Sequence, residues 1–477
     1  MKKTLIFLFT LCLFFLPASA ASFSLSPASP VLTDGKESTF SSPGTLSVSS
    51  ETPLSSLYLL FDRPAGEIEI TAGDVTEKVN EDDFLHLFLD LSALFGSPQK
   101  TVTLSLGETP LCEITAFSPE EEIPFDVQRW LPPTENADLL LFGAHSDDEH
   151  LFFGGLVPLY AGERGLEVQT VYFTHHWDTH ARSHELLNGL WKAGMRRYPV
   201  IGPFPDLYST SLAGAEAAYA GAGYGEEDFL AFETEMLRRF RPLVVVSHDP
   251  EGEYGHGTHR LLSATLRRAV LLAGDENSFP DSAARFGVFE PEKFYLHLYP
   301  ENTILLDLDS PLSAFGGKTA FEMAKAGYAC HLSQQWTWFT GWVNVPASTD
   351  IRSYSPRQYG LVFSSVGEDI RKNDLMENVV SYAERKKIAE EERLAEEERL
   401  AEEKRLAEEK RLAEEKRLAE EAAKAEETNA VDSVAEGEKK NDPPQKADRT
   451  LLLGGILLFG ILLLILLIFL IRRTIHR

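Results

Sequence analysis

Ala137-Asp138-Leu139-Leu140-Leu141-Phe142-Gly143-Ala144-His145-Ser146-Asp147-Asp148-Glu149 is the stretch on which the fold turns. Residues 137–142 form an apolar run of strand length, and it ends directly in polar, metal-capable side chains. Two further stretches repeat the pattern. Val168 to Phe173 runs into Thr174-His175-His176-Trp177-Asp178, and Leu243 to Val246 runs into Ser247-His248-Asp249-Pro250. Helical patterns lie between and after them, over 149–163, 180–196 and 226–240. Buried strands alternating with helices predict an α/β fold, a Rossmann-like, mostly parallel sheet with helices on both faces. In such sheets the crevice at the carboxyl ends of the strands binds the ligand, so the three polar clusters are expected to converge there.

Their chemistry suits a metal. A catalytic zinc ion takes three ligands from His and carboxylate and keeps one position open. His145 and Asp148, three residues apart at a loop-to-helix turn, point to one side. His259, in Tyr254-Gly255-His256-Gly257-Thr258-His259, supplies a third ligand. Asp147 is then left beside the metal as a general base, and His256 is placed to polarise or protonate a tetrahedral intermediate.

Ala144-His145-Ser146-Asp147-Asp148-Glu149, followed by Gly154-Gly155, resembles the Ala-His-Pro-Asp-Asp-Glu signature of the PIG-L/LmbE-like deacetylases. Residues 252–259 resemble that family's second metal motif, and Arg182 with Glu185 matches its Arg-x-x-Glu. The resemblance covers about 135–378. It implies zinc-dependent removal of the acetyl group from N-acetylglucosamine units of a glycan or glycolipid. By position it assigns zinc to His145, Asp148 and His259, the base to Asp147, oxyanion assistance to His256 and substrate contact to Arg182. Ser146 replaces the usual Pro and Thr258 the frequent Asp. If those replacements mark decay, the chain is instead an inactive glycan-binding surface protein. A zinc amidase acting on another envelope amide is the third reading.

The rest of the chain reads as delivery and spacing. Lys2 and Lys3, a short apolar core and Ala18-Ser19-Ala20 describe a signal peptide over 1–20. Short alternating segments over 21–130 predict a β-sandwich accessory domain before the catalytic domain at 131–380. Over 381–427 the hexapeptide Arg-Leu-Ala-Glu-Glu-Lys recurs, at 399–404, 405–410 and 411–416. A six-residue period rotates successive Leu residues around a helix and gives no sustained 3.5-residue coiled-coil seam. The tract is therefore expected to be a solitary charged helix, a spacer of about 65 Å, with Arg411 pairing forward to Glu414 and Glu415. A flexible linker at 428–450 and an uncharged apolar span at 451–471 follow, then a basic tail at 472–477. Together they predict one transmembrane helix, with the tail cytoplasmic and the body periplasmic or at the cell surface.

Of the formal net charge of -28, -25 lies in residues 1–382. An acidic body disfavours nucleic acid as a partner and leaves a glycan or glycolipid and the membrane anchor. Cys112 and Cys330 are expected to be two buried thiols, since a pair in separate domains would not meet. His180 and His184 read as solvated or supporting histidines. Residues 202–226, with Gly221, Gly223 and Gly225, read as a loop or lid, and Trp336, Trp338 and Trp342 as core. Gly316-Gly317-Lys318-Thr319 lacks the first glycine of a phosphate loop.

Overall fold

The computed structural model describes residues 21–435, with side chains through residue 426. Contacts divide the chain after Ile388. The first unit begins with β1 (Ser24–Ser26), β2 (Gly44–Leu54), β3 (Ser56–Phe61), β4 (Ile68–Ala72), β5 (Val75–Val79), β6 (His86–Asp90), the short helix α1 (Leu91–Phe95), β7 (Gln99–Gly107) and β8 (Leu111–Phe117). They build two antiparallel sheets, ordered β1-β2-β7-β4-β5 and β6-β3-β8. Strand β3 is buried on both faces. Leu57, Leu59 and Phe61 belong to the core between the sheets, whereas Tyr58 and Leu60 pack with Cys112 and Phe117 on the other side.

A seven-stranded sheet follows, from β9 (Leu139–Gly143), β10 (Val168–His175), β11 (Val200–Pro205), β12 (Val244–Ser247), β13 (Lys293–His297), β14 (Thr303–Leu305) and β15 (Gln358–Ser364). Its order is β11-β10-β9-β12-β13-β15-β14. The first five run parallel, and β15 is antiparallel to both of its neighbours. Alternation along the strands feeds two cores. Leu139, Leu141, Val244 and Val246 face one, Leu140, Phe142, Val171 and Val245 the other. Each such side chain contributes about 1.5–3 kcal/mol by leaving water. Helices α2 (His180–Lys192), α3 (Leu212–Gly221), α4 (Glu226–Phe240), α5 (Gly257–Leu272), α6 (Pro280–Phe286), α7 (Ala320–Tyr328) and α8 (Phe339–Val343) complete the unit. α2 and α7 supply apolar residues to the first core and α3, α4 and α5 to the second, so helices do cover both faces. The first core continues into the interior of the antiparallel sheets.

Several expectations are corrected here. Residues 149–155 are turns, and the winding starts only at Leu156, with Val157–Glu163 a π-helix. Gly155 explains the break: its φ is +113°, a backbone that disfavours any side chain, and a Cβ there would sit 2.9 Å from Leu308. The 202–226 loop instead contains the edge strand β11 and the Ala-rich helix α3, started by Ser211, whose hydroxyl accepts from the Gly214 N–H. Pro203 and Pro205 hid that strand, since proline is tolerated at a sheet edge but reads as a breaker. Cys112 is buried, but Cys330 is only half-buried, and both are free. Trp336 and Trp338 are not core residues: they are 84% and 52% exposed. His184 is fully buried; its Nδ1 lies 2.7 Å from His86 Nε2, and His86 Nδ1 is 2.9 Å from the Tyr58 hydroxyl.

Helix α9 (Tyr382–Ala435) carries the repeat and runs eight residues into the segment read as linker. Its ion pairs reach backward three residues, such as Arg405 with Glu402 at 2.7 Å and Arg411 with Glu408 at 3.2 Å. Arg411 also lies 3.9 Å from Glu415. Leu394, Leu400, Leu406, Leu412 and Leu418 are all exposed, as a rotating period requires. Among the described residues no helix is long and apolar enough to cross a membrane. The segments read as signal peptide, transmembrane span and tail lie outside the described residues, as does the linker beyond 435.

Candidate active site

The carboxyl ends of β9, β10, β11, β12 and β13 do what the sheet topology demands and bring their polar residues together. β9 delivers His145, Asp147 and Asp148. His145 Nδ1 lies 3.1 Å from His259 Nε2 and 3.4 Å from Asp148 Oδ2, and Asp148 Oδ1 lies 3.5 Å from His259 Nε2. Donors about 2.1 Å from a tetrahedral ion stand about 3.4 Å from one another, so these separations suit a metal, with the two Asp148 distances running to different oxygens of the one carboxylate. His256 is close by, its ring centroid 4.6 Å from those of both His145 and His259, and one ring nitrogen from each of the three lies within 4.8 Å of the others.

The histidines are oriented by one buried carboxylate. Glu253 Oε2 accepts from His259 Nδ1 at 2.7 Å and from His248 Nδ1 at 2.8 Å, and Oε1 lies 2.6 Å from His297 Nδ1. With its Nδ1–H committed to Glu253, His259 turns the Nε2 lone pair toward Asp148 and His145. The Ala144 N–H donates to His248 Nε2 at 2.9 Å, which fixes that ring to the β9 loop. Burial alone would raise the Glu253 carboxyl, but the His248 and His259 imidazoles outweigh it and hold Glu253 well below the usual range.

Asp147 has a φ of +141°, an uncommon conformation for a residue with a side chain, and its N–H donates to Glu149 Oε2 at 3.0 Å. Burial pushes its carboxyl up to about 8, against the pull of the Arg182 guanidinium 3.9 Å away. Arg182 itself is anchored on Ser146: Nη2 donates to the carbonyl at 2.7 Å and to Oγ at 3.2 Å. The serine that stands for proline thus gives Arg182 a hydroxyl partner. Thr258 is buried and donates to the Leu207 carbonyl at 3.2 Å. Burial, with His145 and His259 nearby, pushes the His256 imidazole down to about 2, so it is neutral at ordinary pH, and its Nδ1 is buried without a hydrogen-bond partner.

A narrow cleft of about 120 Å³ reaches these groups, lined among others by Asp147, Arg182, Asp206, Tyr208, Tyr254 and His256. A larger one of about 440 Å³, beside Tyr58 and Trp191, holds none of them. All six residues singled out from sequence therefore meet in one place. Four others went unassigned. His248 and Glu253 stand in stretches already quoted. Asp206, with Oδ1 3.3 Å from His145 Nε2, ends the strand that was read as loop, and His297 ends β13.

Residues 140–270 match the family model described as PIG-L: GlcNAc-PI de-N-acetylase. The chain carries a PIG-L domain. The matched residues include every member of the site from His145 to His259. The 1D-myo-inositol 2-acetamido-2-deoxy-alpha-D-glucopyranoside deacetylase of Rhodococcus opacus (strain B4) is 31% identical over 173 residues, 31% of this chain and 58% of that protein. The enzyme of the same name from Kineococcus radiotolerans is 30% identical over 237 residues, 42% of this chain and 63% of that protein. The chain thus spans less than two thirds of the length of these curated relatives, both named deacetylases. Among solved structures, N,N'-diacetylchitobiose deacetylase from Pyrococcus horikoshii is 16% identical, covering 48% of this chain and 85% of that one. Its TM-score is 0.36. The sheets over 21–117 and helix α9 lie outside the PIG-L match.

Proposed function

We propose that this chain is a zinc-dependent N-deacetylase acting on N-acetylglucosamine-type units of a glycan or glycolipid. The observation that carries the reading is the donor triangle of His145, Asp148 and His259 with a buried carboxylate, Asp147, and a neutral imidazole, His256, beside it in one cleft. Zinc held by the triangle would supply Lewis acidity toward the acetamide carbonyl and toward water. Asp147 takes a proton from the attacking water, which its raised carboxyl makes it basic enough to do near neutral pH. His256, neutral and with an unpartnered ring nitrogen, donates a hydrogen bond to the oxygen that gains charge as the carbonyl becomes tetrahedral. The proton held on Asp147 then goes to the departing amine as acetate forms. Arg182 favours the ionised form of Asp147 against its burial and presents donors to the substrate. The exposed Trp338 meets Tyr254 edge-to-face at the cleft, as Tyr208 does His256, and these aromatic rings suit contact with sugar rings.

The test is acetate release by the full chain, loaded with zinc, from N-acetylglucosamine conjugates. Stoichiometric acetate and a new free amine are expected; release of neither from any conjugate would overturn the assignment. Arg182→Gln is expected to move the acid limb of the kcat/KM profile upward by roughly 1 pH unit, because the guanidinium favours the ionised form of Asp147. An unshifted limb would detach Arg182 from the base.

The enzyme is further proposed to be exported and tethered, with the body outside the cytoplasm. Support comes from the basic head and small-residue end of residues 1–20, and from the uncharged apolar residues 451–471 with arginines after them. Fractionation should find it in the membrane pellet, released by detergent and not by carbonate. Recovery in the soluble fraction would refute tethering.

A further inference from the structure

Behind Asp147 lies a second polar cluster that the proposed reaction does not use. Glu149, His150 and His331 are 1%, 1% and 0% exposed. Glu149 Oε1 stands 3.3 Å from His150 Nε2 and 3.5 Å from His331 Nε2, and one donor atom from each residue lies within 4.8 Å of the others. Glu149 Oε1 and all four ring nitrogens of the two histidines lack a hydrogen-bond partner. Buried polar atoms are almost always satisfied, and a group of five orphans in one spot calls for a missing partner. Two glycines pack against these rings. A Cβ on Gly189 would lie 2.5 Å from His150 Nε2 and 3.1 Å from His331 Nε2, so a glycine in α2 is what lets both imidazoles sit against its backbone. Gly327 on α7 does the same for the His150 ring, where a Cβ would lie 2.5 Å from Nδ1.

We infer that Glu149 Oε1, His150 Nε2 and His331 Nε2 form a second divalent-cation site, separate from the His145–Asp148–His259 triangle. Two imidazoles and one carboxylate select a borderline-soft ion such as zinc over calcium or magnesium. Donor separations of 3.3 and 3.5 Å match the spacing of about 3.4 Å around a tetrahedral zinc ion. The role is positional. The ion ties Glu149, whose other oxygen accepts the Asp147 N–H, to the segment after α7. That segment is in turn held to α2 by Ser333, which donates to Glu185 from its N–H at 2.7 Å and from its hydroxyl at 2.6 Å. His331 lies beyond the matched PIG-L residues, so this site is not carried by the match.

The test counts ions rather than turnover, and so stands whether or not the chain proves to be a deacetylase. Full-chain protein purified from zinc-supplemented cells and desalted is analysed for metal by mass spectrometry. Wild type is expected to hold two zinc ions, Asp148→Asn one, and Asp148→Asn with His331→Ala none. Gly189→Ala keeps every donor but pushes the two imidazoles off α2 and apart, and is expected to hold one with an unchanged circular dichroism spectrum. If His331→Ala does not fold, the Asp148→Asn protein answers alone: zinc at a hundredfold excess over its Kd should raise Tm by about 4 °C. One ion in wild type that Asp148→Asn abolishes, two ions retained in both His331→Ala and Gly189→Ala, or no rise in Tm for Asp148→Asn would each overturn the site.

Discussion

Asp147→Asn is expected to lower kcat/KM for acetate release by about 10³-fold, in the middle of the range for loss of a general base. The substitution isolates the proton-accepting role. Asparagine has the same shape, and it tolerates positive φ better than most side chains, so the φ of +141° at this position survives. The N–H bond to Glu149 is made by the backbone and also survives. Asp147 lies outside the His145–Asp148–His259 triangle, so zinc content should match wild type. What is lost is one basic oxygen, whose charge burial disfavours and Arg182 sustains. Measuring acetate release and bound zinc on the same preparation decides the matter. Activity within tenfold of wild type at equal zinc content would remove Asp147 from the reaction; a parallel loss of zinc would make it a ligand.

The site was legible in sequence to the degree that its members are close in the chain and close to a strand end. His145, Asp147 and Asp148 fall within four consecutive positions, and His256 and His259 share one turn at the start of α5, so spacing alone brought out five of them. Arg182 needed the family resemblance, because a lone arginine on a helix carries no spacing signal. Asp206 and His297 were missed for a different reason. Each is one polar residue at the end of its own strand, and the strand before Asp206 was masked by two prolines. The histidines on α2 carry a spacing that misleads. His180 and His184, four apart, imitate a chelating pair, yet His184 bonds to His86 from a strand 98 residues earlier, and His180 Nδ1 lies 2.5 Å from Asp62. Trp336 and Trp338 looked like core because indole usually is, and local sequence says nothing about which way a loop faces.

Glu253→Gln is expected to weaken zinc binding by about 10–100-fold and to cost about 3 kcal/mol of stability. None of the three residues proposed to hold zinc is touched. The effect follows from acceptor capacity: the carboxylate takes His248 and His259 on Oε2 and faces His297 with Oε1, while an amide offers one accepting atom and turns an NH₂ toward the remaining imidazole. Wherever the amide settles, at least one buried ring loses its partner. If that ring is His259, nothing fixes its Nε2 lone pair toward Asp148 and His145. The loop cannot move to compensate. Gly252 has a φ of +67° with a Cβ position 2.5 Å from the His256 carbonyl, and Tyr254 sits at a φ of +45°. Zinc Kd by chelator competition and the urea midpoint are the readouts. Saturating zinc should restore most of kcat, since the charge that accepts the proton, Asp147, is intact. An unchanged zinc Kd would show that β12, α5 and β13 orient their histidines without the carboxylate between them.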